Sequence, residues 1–337
     1  MAQQTKQSTR ESAAGLATRI RQSDRLGFVV NLFPGAFWLL TFFVTPLLIM
    51  AYYSFGERGA FGEVLLGVEN LGIQQYVTFF VPEGASIFQT IWWTTTWIVE
   101  GLLPFGIQLA AGEPTVFVKV LVKSINFGLV TTAVALAIGY PAAYFIIRVL
   151  PENRRTLGIL LLLLPYWASY LVRVYAIKLL TFENGPIFSL LNALPFVEGV
   201  SLVATDTAVM LGMIYIYVPF AVLPLYANLD DIDFTLTEAA MVHGATRWTA
   251  FRRVILPLSI PGVFAASILV FIPATGTFVI PELLGGGDAA FIGKFIAEQF
   301  GGAGNWPLGS AAGFIFTGVV LVVIALYQRV IGGGDLA

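Results

Sequence analysis

Six apolar runs, near residues 30–53, 125–149, 156–180, 207–228, 257–280 and 308–330, constrain this chain more than any other feature. A helix needs about 20 apolar residues to cross the hydrocarbon core of a bilayer. Only helices and closed barrels satisfy their backbone polar groups there. A spanning barrel would show roughly ten-residue segments of alternating polarity, and none occurs. Charge agrees with the helical choice: 11% of the 337 residues are charged, whereas soluble domains average about a quarter. The expected fold is an all-α polytopic membrane protein. Net charge is −2, which gives no polybasic signal for nucleic acid, and the absence of cysteine excludes disulfides and thiolate metal sites.

Loop charge sets the number of crossings and their sense. The first 27 residues are polar and basic, too long for the leading region of a signal peptide, and read as a cytoplasmic tail with a surface-lying amphipathic helix. With six spans and this tail inside, the inner segments carry Lys6, Arg10, Arg19, Arg21, Arg25, Arg148, Arg154, Arg155, Arg247, Arg252, Arg253 and Arg329, twelve of the 18 basic residues. A seventh run at 86–111 is interrupted by a triple Thr, Glu100 and Pro104. If it also crossed, Arg148, Arg154, Arg155 and the three Arg of 247–253 would move outside, against the positive-inside bias. It is therefore expected to lie at the interface or to re-enter from the outer side, with Trp92, Trp93 and Trp97 at headgroup level. The expected organisation is a cytoplasmic tail (1–29), a membrane domain (30–330) containing an inner loop at 229–256, and a cytoplasmic C-terminal tail (331–337).

That inner loop reads "TLTEAAMVHGATRWTAFRRVILPLSIPG" at 235–262. Thr235 to Glu238 has the spacing of a capping box, in which each end satisfies the other's backbone N–H. Ala239 to His243 continues a short helix, and Gly244 offers a left-handed position to end it. A second helix is expected from Thr246, with Trp248, Phe251 and Ile255 on one side and Arg252 and Arg253 at its end. Pro257 then opens the next span, where the first helical turn tolerates proline. The Ala239–Ala240 surface lets another helix or loop come close to the backbone, and Glu238 and the arginines can fix register with charged groups.

Glu238-Ala239-Ala240, three residues, Gly244, nine residues, Val254, one residue, Leu256-Pro257 resembles the EAA loop of binding-protein-dependent ABC importer permeases. Val254 in place of Ile is the one departure. The stretches at 161–180, 214–233 and 272–311 are further similar to the spermidine/putrescine permeases within that family. The resemblance covers about 30–55 and 125–330. Residues 1–27 and about 80–115 lie outside it. It implies the transmembrane domain of a type I importer, with six core helices and an extra segment near 86–111. The implied couplers to the ATPase are Glu238, Ala239, Ala240, Gly244, Val254, Leu256 and Pro257. The implied partners are two cytoplasmic ABC ATPases, a second similar permease and a periplasmic or lipid-anchored binding protein. ATP and Mg would be held by the ATPases, the permease itself having no cofactor, metal or catalytic residue. The bacterial inner membrane is the implied location. Polyamines are the expected cargo, with ferric iron, opines, phosphonates or amino-acid-like solutes as the alternative within the same class.

The residues themselves agree that energy must come from elsewhere, because the sequence holds no GxxxxGK[ST], HExxH or EF-hand pattern. An ion-coupled secondary transporter would show repeat symmetry and ionisable residues deep in several spans. Here Arg173 stands almost alone. It follows Tyr166, Trp167 and Tyr170 and precedes Tyr175. That stripe either lines a translocation path or places Arg173 at the outer interface against an acidic loop residue. Arg173 is not expected to touch a cationic cargo. Pro219 and Pro224, beside Tyr215, are expected to give kinked, path-lining backbone. His243, the sole histidine, is expected to favour a helix C-terminus and not to bind metal. Outer loops hold more acidic than basic residues, which follows from the exclusion of Lys and Arg and does not identify a cargo.

Overall fold

A computed structural model describes residues 24–60, 62–82, 85–102, 114–182, 185–186, 202–286 and 289–331. The polar tail at 1–23 and the end at 332–337 lie outside these. Helix α1 (Asp24–Leu39) runs through a π turn (Leu40–Val44) into α2 (Thr45–Tyr53). A two-residue hairpin pairs β1 (Glu57–Arg58) with β2 (Val64–Leu65), and α3 (Gln74–Phe80) and α4 (Ile87–Leu102) follow. Helix α5 (Val116–Arg148) is the longest, starting ahead of its apolar run because Thr115 accepts the Val118 N–H and caps it.

The third run does not make one straight span. Helix α6 (Glu152–Leu163), a 3₁₀ turn (Leu164–Trp167) and α7 (Tyr170–Thr181) meet at an 86° bend. Pro165 cannot donate to the preceding carbonyls and sits where the path tightens to the 3₁₀ turn, and the bend itself falls at the extended Ala168 and Ser169. Helix α8 (Asp206–Asp230) crosses unbroken. After it come α9 (Thr235–Val242), α10 (Arg247–Ala250), a π turn (Phe251–Ile255), α11 (Leu256–Leu258) and α12 (Ile260–Thr275). Helices α13 (Val279–Leu284), α14 (Ile292–Phe300) and α15 (Trp306–Ile331) complete the described chain. Four helical stretches are long and apolar enough to cross a bilayer, and six if each bent pair counts as one.

Helices α5, α8 and α12 form the core through small residues. Ala135, Ala143, Ala221, Ala266 and Ala274 are all essentially fully buried. A Cβ on Gly128 would lie 2.1 Å from Thr275 Oγ1, and one on Gly139 would lie 3.2 Å from the Ala221 Cβ. Lipid offers helices no hydrophobic reason to associate, so close backbone approach and packing must supply it. Three buried core hydroxyls are satisfied by bonding back along their own helix: Thr132 to Gly128 O at 2.7 Å, Ser267 to Val263 O at 2.7 Å and Thr275 to Phe271 O at 2.8 Å. The outer faces are greasy. In α1 and the π turn that follows it, Phe33, Phe37, Trp38, Phe42 and Phe43 are all exposed.

The expected segment at 86–111 is a 16-residue helix over its described part, α4, and 103–113 lie outside the described residues. Sixteen residues make about 24 Å, short of a bilayer core. Across a cleft of about 450 Å³, Thr90, Ile91, Thr94 and Thr95 face Tyr76, Val77, Phe80 and Val81 of the α3 region. Phe79 of α3 is fully buried, stacks on Phe117 and takes the Thr115 hydroxyl on its carbonyl at 2.7 Å. Helix α4 thus sits at the end of the bundle where α5 begins.

The two ends differ in charge. Where α5, α8 and their neighbours begin, Lys123 pairs with Asp206 at 2.8 Å and Lys294 with Glu282 at 3.0 Å. At the opposite end Arg155 pairs with Asp230 at 3.5 Å, and Arg148 lies over the Phe234 ring at 4.6 Å. Arg247, Arg252 and Arg253 follow directly on that end.

Candidate coupling surface and translocation path

The 229–256 loop folds as two short helices at the arginine-rich end. The expected capping box does not form. Phe234 is the N-cap residue, so Thr235 is already the first helical residue and its hydroxyl cannot reach back over the start. The Thr235 N–H is instead taken by the Asp233 carboxylate at 2.9 Å. That backbone hydrogen bond, with a further one from the Thr235 hydroxyl, holds the Asp233 carboxyl below its usual range.

Gly244 ends α9 with φ of +88°. The Ala245 N–H reaches Ala240 O at 3.1 Å and the Gly244 N–H reaches Met241 O at 2.9 Å. This pair is a Schellman motif, which needs a left-handed residue in the Gly244 position. His243 is the exposed C-cap residue, as its place at a helix end suggested. Thr246 then caps α10, its hydroxyl accepting the Thr249 N–H at 3.2 Å.

Between these caps the surface is open. Glu238 and Ala239 are exposed, Ala240 is half-buried, and Val242 stands 86% exposed beside the elbow. The expected stripe of Trp248, Phe251 and Ile255 grades inward: Trp248 is 69% exposed, Phe251 half-buried and Ile255 buried. Phe251 stacks on Trp248 at 5.6 Å and meets Tyr140 and Tyr144 of α5 edge-on. Val254 is half-buried, whereas Leu256 and Pro257 are exposed.

Pro257 does not open the span. The helical path from Arg247 continues through it to Leu258, and the 60° bend falls at Ser259, so Pro261 occupies the first turn of α12. Arg252 and Arg253 accordingly sit inside a π turn and not at a helix end. The π turn closes on the Leu256 N–H to Phe251 O bond, one residue before the proline that cannot donate. At the bend, Ser259 gives its N–H to Ile255 O at 2.9 Å and shares a 2.9 Å hydrogen bond with Tyr140 of α5.

The expected path stripe divides. Tyr166, Tyr170 and Arg173 come together: the guanidinium lies 4.0 Å from the centroid of the Tyr166 ring and 5.9 Å from that of Tyr170. Trp167, 85% exposed, and Tyr175, half exposed, face outward away from this group, and Tyr215 is also exposed. Pro219 and Pro224 are half-buried within the unbroken α8. The expected kinks occur instead at the α6–α7 and α11–α12 junctions. No carboxylate pairs with Arg173 among the described residues. It is 9% exposed, and its Nε and Nη1 have no hydrogen-bond partner. A guanidinium at the centre of a membrane helix costs roughly 2.5–3.5 kcal/mol even by lenient insertion scales.

Tyr217, close to Pro219 in sequence, and Thr277 complete this group. Tyr217 of α8 donates to Pro273 O at 3.0 Å, and Thr277 shares a 3.3 Å hydrogen bond with Tyr170. Tyr166 donates to Ile216 O, one turn from Pro219. The cluster therefore joins the α6–α7 break, the proline-bearing stretch of α8 and the break after α12. Discontinuous helices that expose backbone at mid-membrane are where transporters build their sites.

No family profile matches the chain. It is 36% identical over 218 residues to the spermidine/putrescine transport system permease protein PotB of Salmonella typhimurium (strain SL1344), covering 64% of this chain and 75% of that protein. The PotB of Escherichia coli (strain K12) is equally similar, with 78% of its length covered. Among solved structures, a bacterial ABC transporter involved in import of the acidic polysaccharide alginate superposes with a TM-score of 0.63 at 19% identity, covering 95% of this chain and 99% of that one. That last likeness speaks for fold alone. The open EAA surface, the broken spans and the extent of the PotB similarity lead to one assignment: the chain belongs to the ABC importer permeases, in the spermidine/putrescine permease branch.

Proposed function

We propose that this chain is one of two permease subunits in an ATP-driven importer of polyamines. The observation that carries the reading is the exposed α9 with its Gly244 elbow, standing at the arginine-rich end of a permease bundle. A preformed, solvent-facing helix ended by a Schellman turn is suited to insert into a groove on an ATPase subunit. Glu238 and the nearby arginines would set its register. The arginine-rich end then faces the cytoplasm, with both termini inside, and the Lys123–Asp206 end faces the binding protein.

The route from that surface into the bundle is physical. Phe251 bears on Tyr140 and Tyr144 of α5, and the Ser259–Tyr140 hydrogen bond ties α5 to the 60° bend. Arg155 and Asp230 tie the α6 start to the α8 end. Displacing α9 and α10 would therefore tilt α5, α8 and α12 as a unit. Nucleotide drives such tilting only by binding one arrangement more tightly than the other. The chain does no covalent chemistry, and ATP and Mg belong to the ATPase subunits.

The test is uptake of labelled spermidine into proteoliposomes holding the whole complex and its receptor. We expect uptake that needs ATP and the receptor, with putrescine competing. Transport of spermidine by the purified chain alone, driven by an ion gradient, would overturn the assignment of an ATP-driven subunit. ATP-dependent uptake of another solute with none of spermidine would leave the importer and remove the polyamine.

A further inference from the structure

A cleft of about 360 Å³ opens beside the elbow, between α5 and α10. Tyr140, Pro141 and Tyr144 form one wall, and Arg247, Trp248 and Phe251 form the other. Tyr144 is one turn from the end of α5 at Arg148, so the cleft lies at headgroup level. Pro141 belongs as well to an uncovered apolar face of α5, which it shares with Val130, Ile138 and Phe145. Charge at this end is unbalanced. Arg247, Arg252 and Arg253 pair with no carboxylate among the described residues, whereas Asp230 is taken by Arg155 and Asp233 by the Thr235 N–H. The Tyr140 hydroxyl is engaged by Ser259. The Arg247 guanidinium, the Trp248 indole N–H and the Tyr144 hydroxyl line the same cleft and have no hydrogen-bond acceptor among the described residues.

We propose that this cleft holds an anionic phospholipid of the cytoplasmic leaflet, its phosphate on Arg247 and its acyl chain along the uncovered face of α5. The inference rests on the orientation proposed above, which puts the arginine-rich end in the cytoplasm. Donors at headgroup level that run on into an apolar helix face match both halves of one amphipathic molecule. Basic pockets between membrane helices on the cytoplasmic side take anionic headgroups for this reason. The planar guanidinium can hold two phosphate oxygens at once, and Tyr144 and Trp248 can donate to others. The ATPase would approach from water against the exposed Glu238 and Ala239 of α9. A lipid in the cleft therefore braces α10 against α5 without covering that surface.

The experiment places the whole complex in vesicles of phosphatidylcholine, alone or mixed in equal parts with phosphatidylglycerol. Lipids brominated in their tails report proximity by quenching indole fluorescence. Wild type is expected to be quenched more by brominated phosphatidylglycerol than by brominated phosphatidylcholine, and Trp248→Phe to lose that excess. Arg247→Gln is expected to need about fivefold more phosphatidylglycerol for the same quenching, the ratio equivalent to roughly 1 kcal/mol for one arginine at an anionic surface. Arg247→Lys should keep most of the wild-type preference. Arg329→Gln, at the same end but outside the cleft, should match wild type. Equal quenching of wild type by the two lipids would overturn the inference, as would an unchanged preference in Arg247→Gln. Release of the ATPase subunits from Arg247→Gln in phosphatidylglycerol would also overturn it, by putting the arginine against the ATPase. Cross-linking of Trp248→Cys to the second permease would give the cleft to that subunit instead. Quenching needs no transport, and spermidine uptake by the wild-type complex tests the importer reading separately, so the two can fail independently.

Discussion

At Gly244 a single dihedral angle carries the coupling geometry. Its φ of +88° belongs to the region that β-branched side chains avoid, although a Cβ there would meet nothing within 4 Å. Gly244→Val is therefore strained by backbone alone, by about 1–2 kcal/mol, and is relieved by unwinding the elbow. We expect membrane insertion and receptor binding to persist and uptake to be lost, as also for Glu238→Lys, whose charge reversal strikes the exposed face directly. Uptake at wild-type rate in both variants would remove the coupling role. Asp233 gives a second residue-scale expectation. Its carboxyl is held below the usual range by the Thr235 N–H, so its contribution is present above the unfolded-state pKa and is lost as pH falls through the lower folded value. Amide exchange at Thr235 should accelerate as pH is lowered below the ordinary carboxylate range, after correction for intrinsic exchange. Asp233→Ala should show the faster exchange already at neutral pH.

At the scale of elements, the core is set by small residues on α5, α8 and α12. Gly128 lies against Thr275 so closely that a Cβ would overlap its hydroxyl oxygen at 2.1 Å. Gly128→Leu must push α5 from α12, and overpacking of this kind costs typically 1–3 kcal/mol. Detergent melting should fall by several degrees, whereas Gly318→Leu, with nothing within 4 Å of its Cβ, should leave melting near wild type. The interhelical hydrogen bonds weigh less. Ser267–Tyr327 at 2.8 Å and Tyr140–Ser259 at 2.9 Å are worth about 0.6 kcal/mol each by bacteriorhodopsin cycles. Tyr140→Phe should therefore barely move the melt. Elements were also where reading and structure parted. The capping box failed because α9 starts at Thr235 itself, and the fifth span begins at Ile260 because the π turn carries the helix through Pro257 to a bend at Ser259.

For the whole molecule, the separation of charge between the two ends makes orientation measurable. Cysteine placed singly at exposed Val242, in a chain that has no cysteine of its own, should react with a membrane-impermeant maleimide only from the cytoplasmic side, and should trap an ATPase subunit on cross-linking. Labelling from outside intact cells would reverse the topology. Much of this was readable in advance. Runs of apolar residues report the cost of transferring each stretch to lipid, a local quantity, and the Glu238-to-Pro257 spacing is local too. By itself, the sequence determined the helical membrane class, the approximate spans and the place of the elbow, because hydrophobic transfer and glycine's backbone freedom act within a few residues. Only the tertiary structure decided where spans three and five break, and that Arg173 meets Tyr166 and Tyr170 in a group completed by Tyr217 and Thr277. Tyr170 and Thr277 lie 107 residues apart, and packing between distant helices, not local preference, brings such groups together.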